Sequence, residues 1–175
     1  MSNLLGLEEE KSNVAGGWKA ETGPDPELAA HAKSGANWFY WIAGLSVINS
    51  VIFVLGADVA FLAGLGLTQL MDAVIGLSVE QGAPALLKAV AVVFDFVVVA
   101  IFALIGYYAG RRFSAAFLIG IVVYLLDGLL LLLLGAYLTA GFHAFALYFI
   151  IRGFFACRKL NATAAGQAFQ TPVAG

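Results

Sequence analysis

Residues 85–110 read ALLKAVAVVFDFVVVAIFALIGYYAG. Between Lys88 and Arg111 the stretch carries a single charge, Asp95. At about 1.5 Å per residue, a helix of this length reaches roughly 39 Å, enough to cross a hydrocarbon core of about 30 Å. The rest of the chain points the same way. Of its 175 residues, 62% are hydrophobic and 11% charged, against about 45–50% and about 25% in soluble domains. Too few polar groups are available to cover a water-facing surface, so the sequence predicts an integral membrane protein that crosses the bilayer several times as helices.

Working outward from this stretch, three further spans are expected. The first runs from about 38 to 55 and opens with Trp38-Phe39-Tyr40-Trp41, an aromatic cluster suited to the headgroup level. The next covers about 114–137 and contains the run Leu129 to Leu134. The last covers about 142–156, after a tight turn at Thr139-Ala140-Gly141. Residues 59–77 are apolar too, but hold Gln69, Asp72, Gly64, Gly66 and Gly76.

Positive charge decides how to count that segment. With four spans and both termini cytoplasmic, Lys11, Lys19, Lys33, Arg111, Arg112, Arg158 and Lys159 share one side, Arg152 snorkels toward it, and Lys88 alone lies outside. A fifth crossing by residues 59–77 would put Arg111-Arg112 and the N-terminal lysines on opposite faces. The expected fold is therefore an all-α polytopic membrane helix bundle of four transmembrane helices, plus an interfacial or re-entrant helix over 59–77 between the first and second. That helix lies on an outer side made acidic by Asp58, Asp72 and Glu80. A bacterial-type inner or plasma membrane is the expected location.

The expected organisation has three parts. Residues 1–36 form a polar, largely disordered cytoplasmic segment with a short surface helix at 26–34, begun by Asp25-Pro26 and ended by Gly35. Residues 37–157 form the membrane domain, and 158–175 a disordered tail. The acidic start, with Glu8, Glu9 and Glu10, is unlike a cleaved signal, and Ser2 lacks the glycine needed for myristoylation. Cys157 beside Arg158-Lys159 is in a context that permits palmitoylation; an incidental small apolar residue is the preferred reading. Small-residue pairs Gly106/Gly110 and Ala116/Gly120 permit close helix approach. No internal repeat is evident.

The informative residues are the polar ones inside the spans. Asp95 lies 16 residues before Arg111, Asp127 lies 15 after Arg112, His143 lies 15 before Arg158, and Asn49 lies 16 after Lys33. Each is therefore roughly 22–24 Å from the cytoplasmic edge. Asn49, Asp95, Asp127 and His143 thus form an expected intramembrane polar layer, with Ser50 beside it. A carboxylate in hydrocarbon costs at least about 2.5–3.5 kcal/mol, so these groups are expected to face inward and to share protons, hydrogen bonds or a metal. Tyr124, one turn before Asp127, is expected to hydrogen-bond to it.

Three functions are compatible with such a layer. The preferred one is a small non-enzymatic structural or accessory subunit, as a homo-oligomer or within a larger membrane complex, with the lipid bilayer as partner. The alternative is a small transporter or channel-like protein using an Asp/Asp/His proton or ion site. The third is a membrane metal-dependent enzyme, with Asp95, Asp127 and His143 as candidate ligands. No catalytic residue is assigned, no cofactor is called for, and the near-neutral charge without a Lys/Arg-rich run speaks against nucleic-acid binding. A Ser46 or Ser50 nucleophile paired with His143 lacks a Gly-x-Ser-x-Gly frame. An Asp95/Asp127 protease dyad lacks the Tyr-Asp and Gly-x-Gly-Asp contexts.

Overall fold

The computed structural model describes residues 23–55 and 64–170, without the side chains of 168–170. Five helices lie in these residues: α1 Pro26–Val54, α2 Gly66–Glu80, α3 Leu86–Gly110, α4 Ser114–Leu133 and α5 Tyr137–Gln170. Four of them, α1, α3, α4 and α5, are long and apolar enough to span a membrane. They bury narrow stripes and turn large apolar side chains such as Trp41, Val93, Phe96 and Leu133 outward.

α1 is the hub, packed against α3 and α5, while α4 closes the bundle between those two. α2 lies mainly against α3 and also touches α1 and α4. The core is aromatic and tightly seated. Phe39, Phe102, Phe117 and Tyr124 are buried in contact. A Cβ on Gly120 would strike the Phe39 ring, and one on Gly106 would come within 3.1 Å of Phe39 Cβ. These two glycines make room for one phenylalanine, whereas Gly110 faces open space.

Four boundaries differ from the sequence reading. The extra helix, expected over 59–77, starts at Gly66 and runs on to Glu80. Gly35 does not end a surface helix, because residues 26–34 and the first span are one continuous α1. Gly35 sits instead where α1 crosses α5: a Cβ there would lie 2.6 Å from Gly153 Cα. Helix entropy argues against glycine, but backbone contact with a second helix overrides it. The turn expected at Thr139-Ala140-Gly141 falls earlier, at Leu134–Ala136, where Gly135 takes φ +76°. Residues 158–170, read as tail, continue α5. Leu160 is buried there, and Asn161 Nδ2 donates to the Arg112 carbonyl at 3.0 Å. The expected disorder of residues 1–22 and 171–175, Asp58, and the 59–63 part of the extra helix lie outside the described residues.

At the start of α1, Asp25 Oδ1 accepts from the Glu27 amide at 2.9 Å with Pro26 in the first turn, as expected of a capped, proline-initiated helix. Cys157 is fully buried, 3.5 Å from Ser114 Oγ, so its thiol is part of the packing and not presented for acylation.

Candidate functional site: a buried polar layer with two carboxyl centres

α2 begins inside the protein. Leu65, Gly66 and Thr68 at its start are buried. A helix N-terminus leaves amides without intrahelical partners, and burial makes that costly. No local side chain caps α2; other helices do so. The Leu65 amide donates to Ser46 Oγ of α1 at 2.9 Å. The Gly66 amide donates to Asp127 Oδ2 at 2.7 Å, and the Leu67 amide to Asp127 Oδ1 at 2.8 Å. Asp127 of α4 thus caps α2 with both oxygens, where the helix dipole also favours negative charge.

The same carboxyl engages α5. His143 Nε2 lies 2.8 Å from Asp127 Oδ2, and Nδ1 lies 2.9 Å from the Thr139 carbonyl. A carbonyl only accepts, so Nδ1 carries hydrogen and a second proton lies between Nε2 and Oδ2. Gly128 makes space for this: a Cβ there would come within 3.0 Å of His143 Cβ. Tyr124 stacks on the imidazole at 4.3 Å with planes 19° apart. Its buried hydroxyl has no hydrogen-bond partner, so the expected bond to Asp127 is not made.

The second centre is different. Asp95 Oδ2 accepts from Ser50 Oγ at 2.6 Å. Its side chain also lies within hydrogen-bonding reach of Asp72 on α2. Both groups are buried, and each keeps one oxygen that no donor reaches. Two carboxyls in contact cannot both be charged at low cost; a shared proton resolves the conflict. Burial, and then the adjacent Asp95 carboxyl, raises Asp72 from its ordinary 3.8 to about 7.

Of the residues picked from sequence, Asn49, Asp95, Asp127 and His143 are all buried. The structure joins Asp127 to His143 but gives Asp95 to Ser50 and Asp72. Asn49 lies against Gly64, where a Cβ would come within 2.5 Å of its Nδ2. The expected metal set of Asp95, Asp127 and His143 is not assembled; among the described residues no three His, Cys, Asp or Glu side chains gather to hold a metal ion. The Ser46–His143 pairing fails as well. Both imidazole nitrogens are engaged elsewhere, and Ser46 Oγ donates to the Ile42 carbonyl at 3.0 Å.

Asp72 and Ser46 were missed as layer residues. Asp72 counted only as outer-side charge, though Thr68, Asp72 and Ile75 follow the i, i+4, i+7 spacing of one helix face, and all are buried. No protein-family model, curated protein or solved structure matches the chain.

Proposed function

We propose that this chain is a small multi-pass membrane protein, channel- or transporter-like, whose Asp72/Asp95 pair takes up and releases a proton within the bilayer. In this reading α1, α3, α4 and α5 cross the membrane with both termini cytoplasmic. α2 is re-entrant: it starts at the polar layer and returns outward to Glu80. Irregular or broken helices at membrane depth are tolerated where protein buries them, which suits the capped α2 start.

The carrying observation is the contact of two buried carboxyls on different helices, each with an oxygen that lacks a donor. A purely structural polar layer would pair both oxygens of each carboxyl, as it does for Asp127. The test is proton flux in vesicles with an imposed pH gradient. Wild-type protein is expected to dissipate the gradient faster than empty vesicles, and Asp72→Asn and Asp95→Asn to abolish the excess. Flux equal to empty vesicles, or undiminished in both variants, would sink the reading.

The Asp127 centre favours a second reading, that of an accessory subunit whose polar layer serves assembly alone. All its principal donors are fixed backbone or imidazole groups. Infrared difference spectra between pH 5 and 9 separate the two readings. A carboxyl band lost in Asp72→Asn supports proton exchange; its absence from wild type supports assembly alone.

A further inference from the structure

We propose that the α3–α4 turn and the groove beneath it form a binding site for one anionic phospholipid, the acyl chain in the groove and the phosphate on Arg111 and Arg112. The inference rests on the membrane placement above, but not on proton exchange.

The groove, of about 270 Å³, is walled by Ile101, Leu104, Ile105, Tyr108, Phe113 and Ile119. It therefore runs along α3 and α4 up to the turn that joins them. At that end the Tyr108 and Phe113 rings pack 6.4 Å apart, and the Phe113 amide donates to the Tyr108 carbonyl at 3.1 Å. Arg111 and Arg112 lie between those two residues and are exposed. The Arg111 guanidinium sits 4.4 Å over the Tyr107 ring.

The turn is held in place. Arg112 takes φ +63°, a left-handed conformation that non-glycine residues seldom adopt. Asn161 Nδ2 on α5 donates to its carbonyl and, at 3.1 Å, to Ser114 Oγ. The same stretch of α5 exposes Arg158 and Lys159. Among the described residues the ion pair is His143–Asp127, so no carboxylate within 4.0 Å neutralises these four cations. Orientation bias accounts for basic residues on this side of the chain. It does not account for a strained turn, braced from α5, directly over an apolar groove. Two other grooves, of about 380 and 270 Å³, reach His143 and Asp127 but do not run up to a basic turn. An acyl chain with an anionic phosphate matches both parts of the α3–α4 site; a zwitterionic lipid matches the groove alone.

The test uses the full chain in neutral detergent, with ligand retention read by native mass spectrometry. The probes are phosphatidylglycerol, phosphatidylcholine and inorganic phosphate. Wild type is expected to retain one phosphatidylglycerol in preference to phosphatidylcholine, and to hold phosphate weakly. The Arg111→Gln/Arg112→Gln variant is expected to lose phosphatidylglycerol binding roughly thirtyfold, as about 1 kcal/mol per interfacial arginine implies. Leu104→Trp, which fills the groove from its exposed side, is expected to weaken both lipids. Lys88→Gln, far along α3 from the turn, changes neither. Equal retention of the two lipids by wild type, undiminished phosphatidylglycerol in the double variant or in Leu104→Trp, or phosphate held as strongly as phosphatidylglycerol overturns the site. Release of the chain from membranes by alkaline extraction without detergent overturns the membrane placement instead.

Discussion

Asp95 and Asp127 occupy neighbouring helices at nearly the same distance from the Arg111-Arg112 turn, and both are buried. Their surroundings nevertheless differ. Asp127 receives two backbone amides from the start of α2 and shares a proton with the His143 imidazole. Asp95 receives one serine hydroxyl, and its other neighbour is the Asp72 carboxyl. Depth and residue type do not set what a buried carboxyl does; the inventory of donors around it does. Three donors make a joint between α2, α4 and α5. One donor and a second acid leave two carboxyl oxygens without a donor, which is the feature the proton-exchange proposal rests on.

The contrast breaks most sharply if the joint is removed. Asp127→Ala leaves the buried Gly66 amide, the partly buried Leu67 amide and a buried imidazole without their acceptor. The expected loss is about 3–5 kcal/mol, the range for stripping one partner from a buried pair, read as a large fall in the unfolding midpoint in detergent. Asp95→Ala removes a group with a single hydroxyl donor and is expected to cost far less. Equal losses would erase the distinction between the centres.

Gly64→Ala tests the entry to the joint without touching a titratable group. Gly64 holds φ +129°, and a Cβ would press on Asn49 and Ser46. Backbone strain of this kind costs on the order of 1–3 kcal/mol. The unfolding midpoint is expected to fall at every pH, because the loss is steric. A pH-dependent loss would show that Gly64 acts on the Asp72/Asp95 pair instead.

Asp72→Asn sharpens the comparison from the other side. A carboxyl raised from 3.8 to about 7 binds more protons folded than unfolded across that window. Stability then falls as pH rises from about 4 to about 7, and levels off above. The variant is expected to flatten that slope and, above pH 7, to equal or exceed wild type, since a buried charge is gone. Denaturation at several pH values checks this. A slope unchanged in Asp72→Asn means another group titrates.

Much of the fold was legible because long charge-poor runs mark helices of spanning length. The charge-poor run after Lys88 marks α3, and Arg111-Arg112 marks its end. Contacts between distant helices were not legible. Gly35 looks like a helix stop until Gly153 is placed against it, and residues 158–170 look like a tail until Leu160 is buried and Asn161 bonds Ser114 of α4 and the preceding turn. The site divides in the same way. Helix rise picked out Asn49, Asp95, Asp127 and His143 as one level, but no count along separate helices pairs them. The partner of Asp95 arrives on α2, and Asp72 reads as an outer-surface charge because the residues that cap the start of that helix, Asp127 and Ser46, lie on other helices.

The smallest expected effect belongs to Tyr124, which touches the joint without taking part in it. Its ring stacks on His143 while its buried hydroxyl has no partner. An unpaired buried hydroxyl carries a desolvation cost with no compensating bond. Tyr124→Phe keeps the ring and removes that cost, so stability is expected to hold or rise by up to about 1 kcal/mol, with the Asp127–His143 contact intact. If the variant loses 1–3 kcal/mol instead, the scale of a lost buried partner, the hydroxyl has a bond in the folded protein. Asp127 would then need a fourth donor, and the line drawn between a saturated and an unsaturated carboxyl would have to include Tyr124.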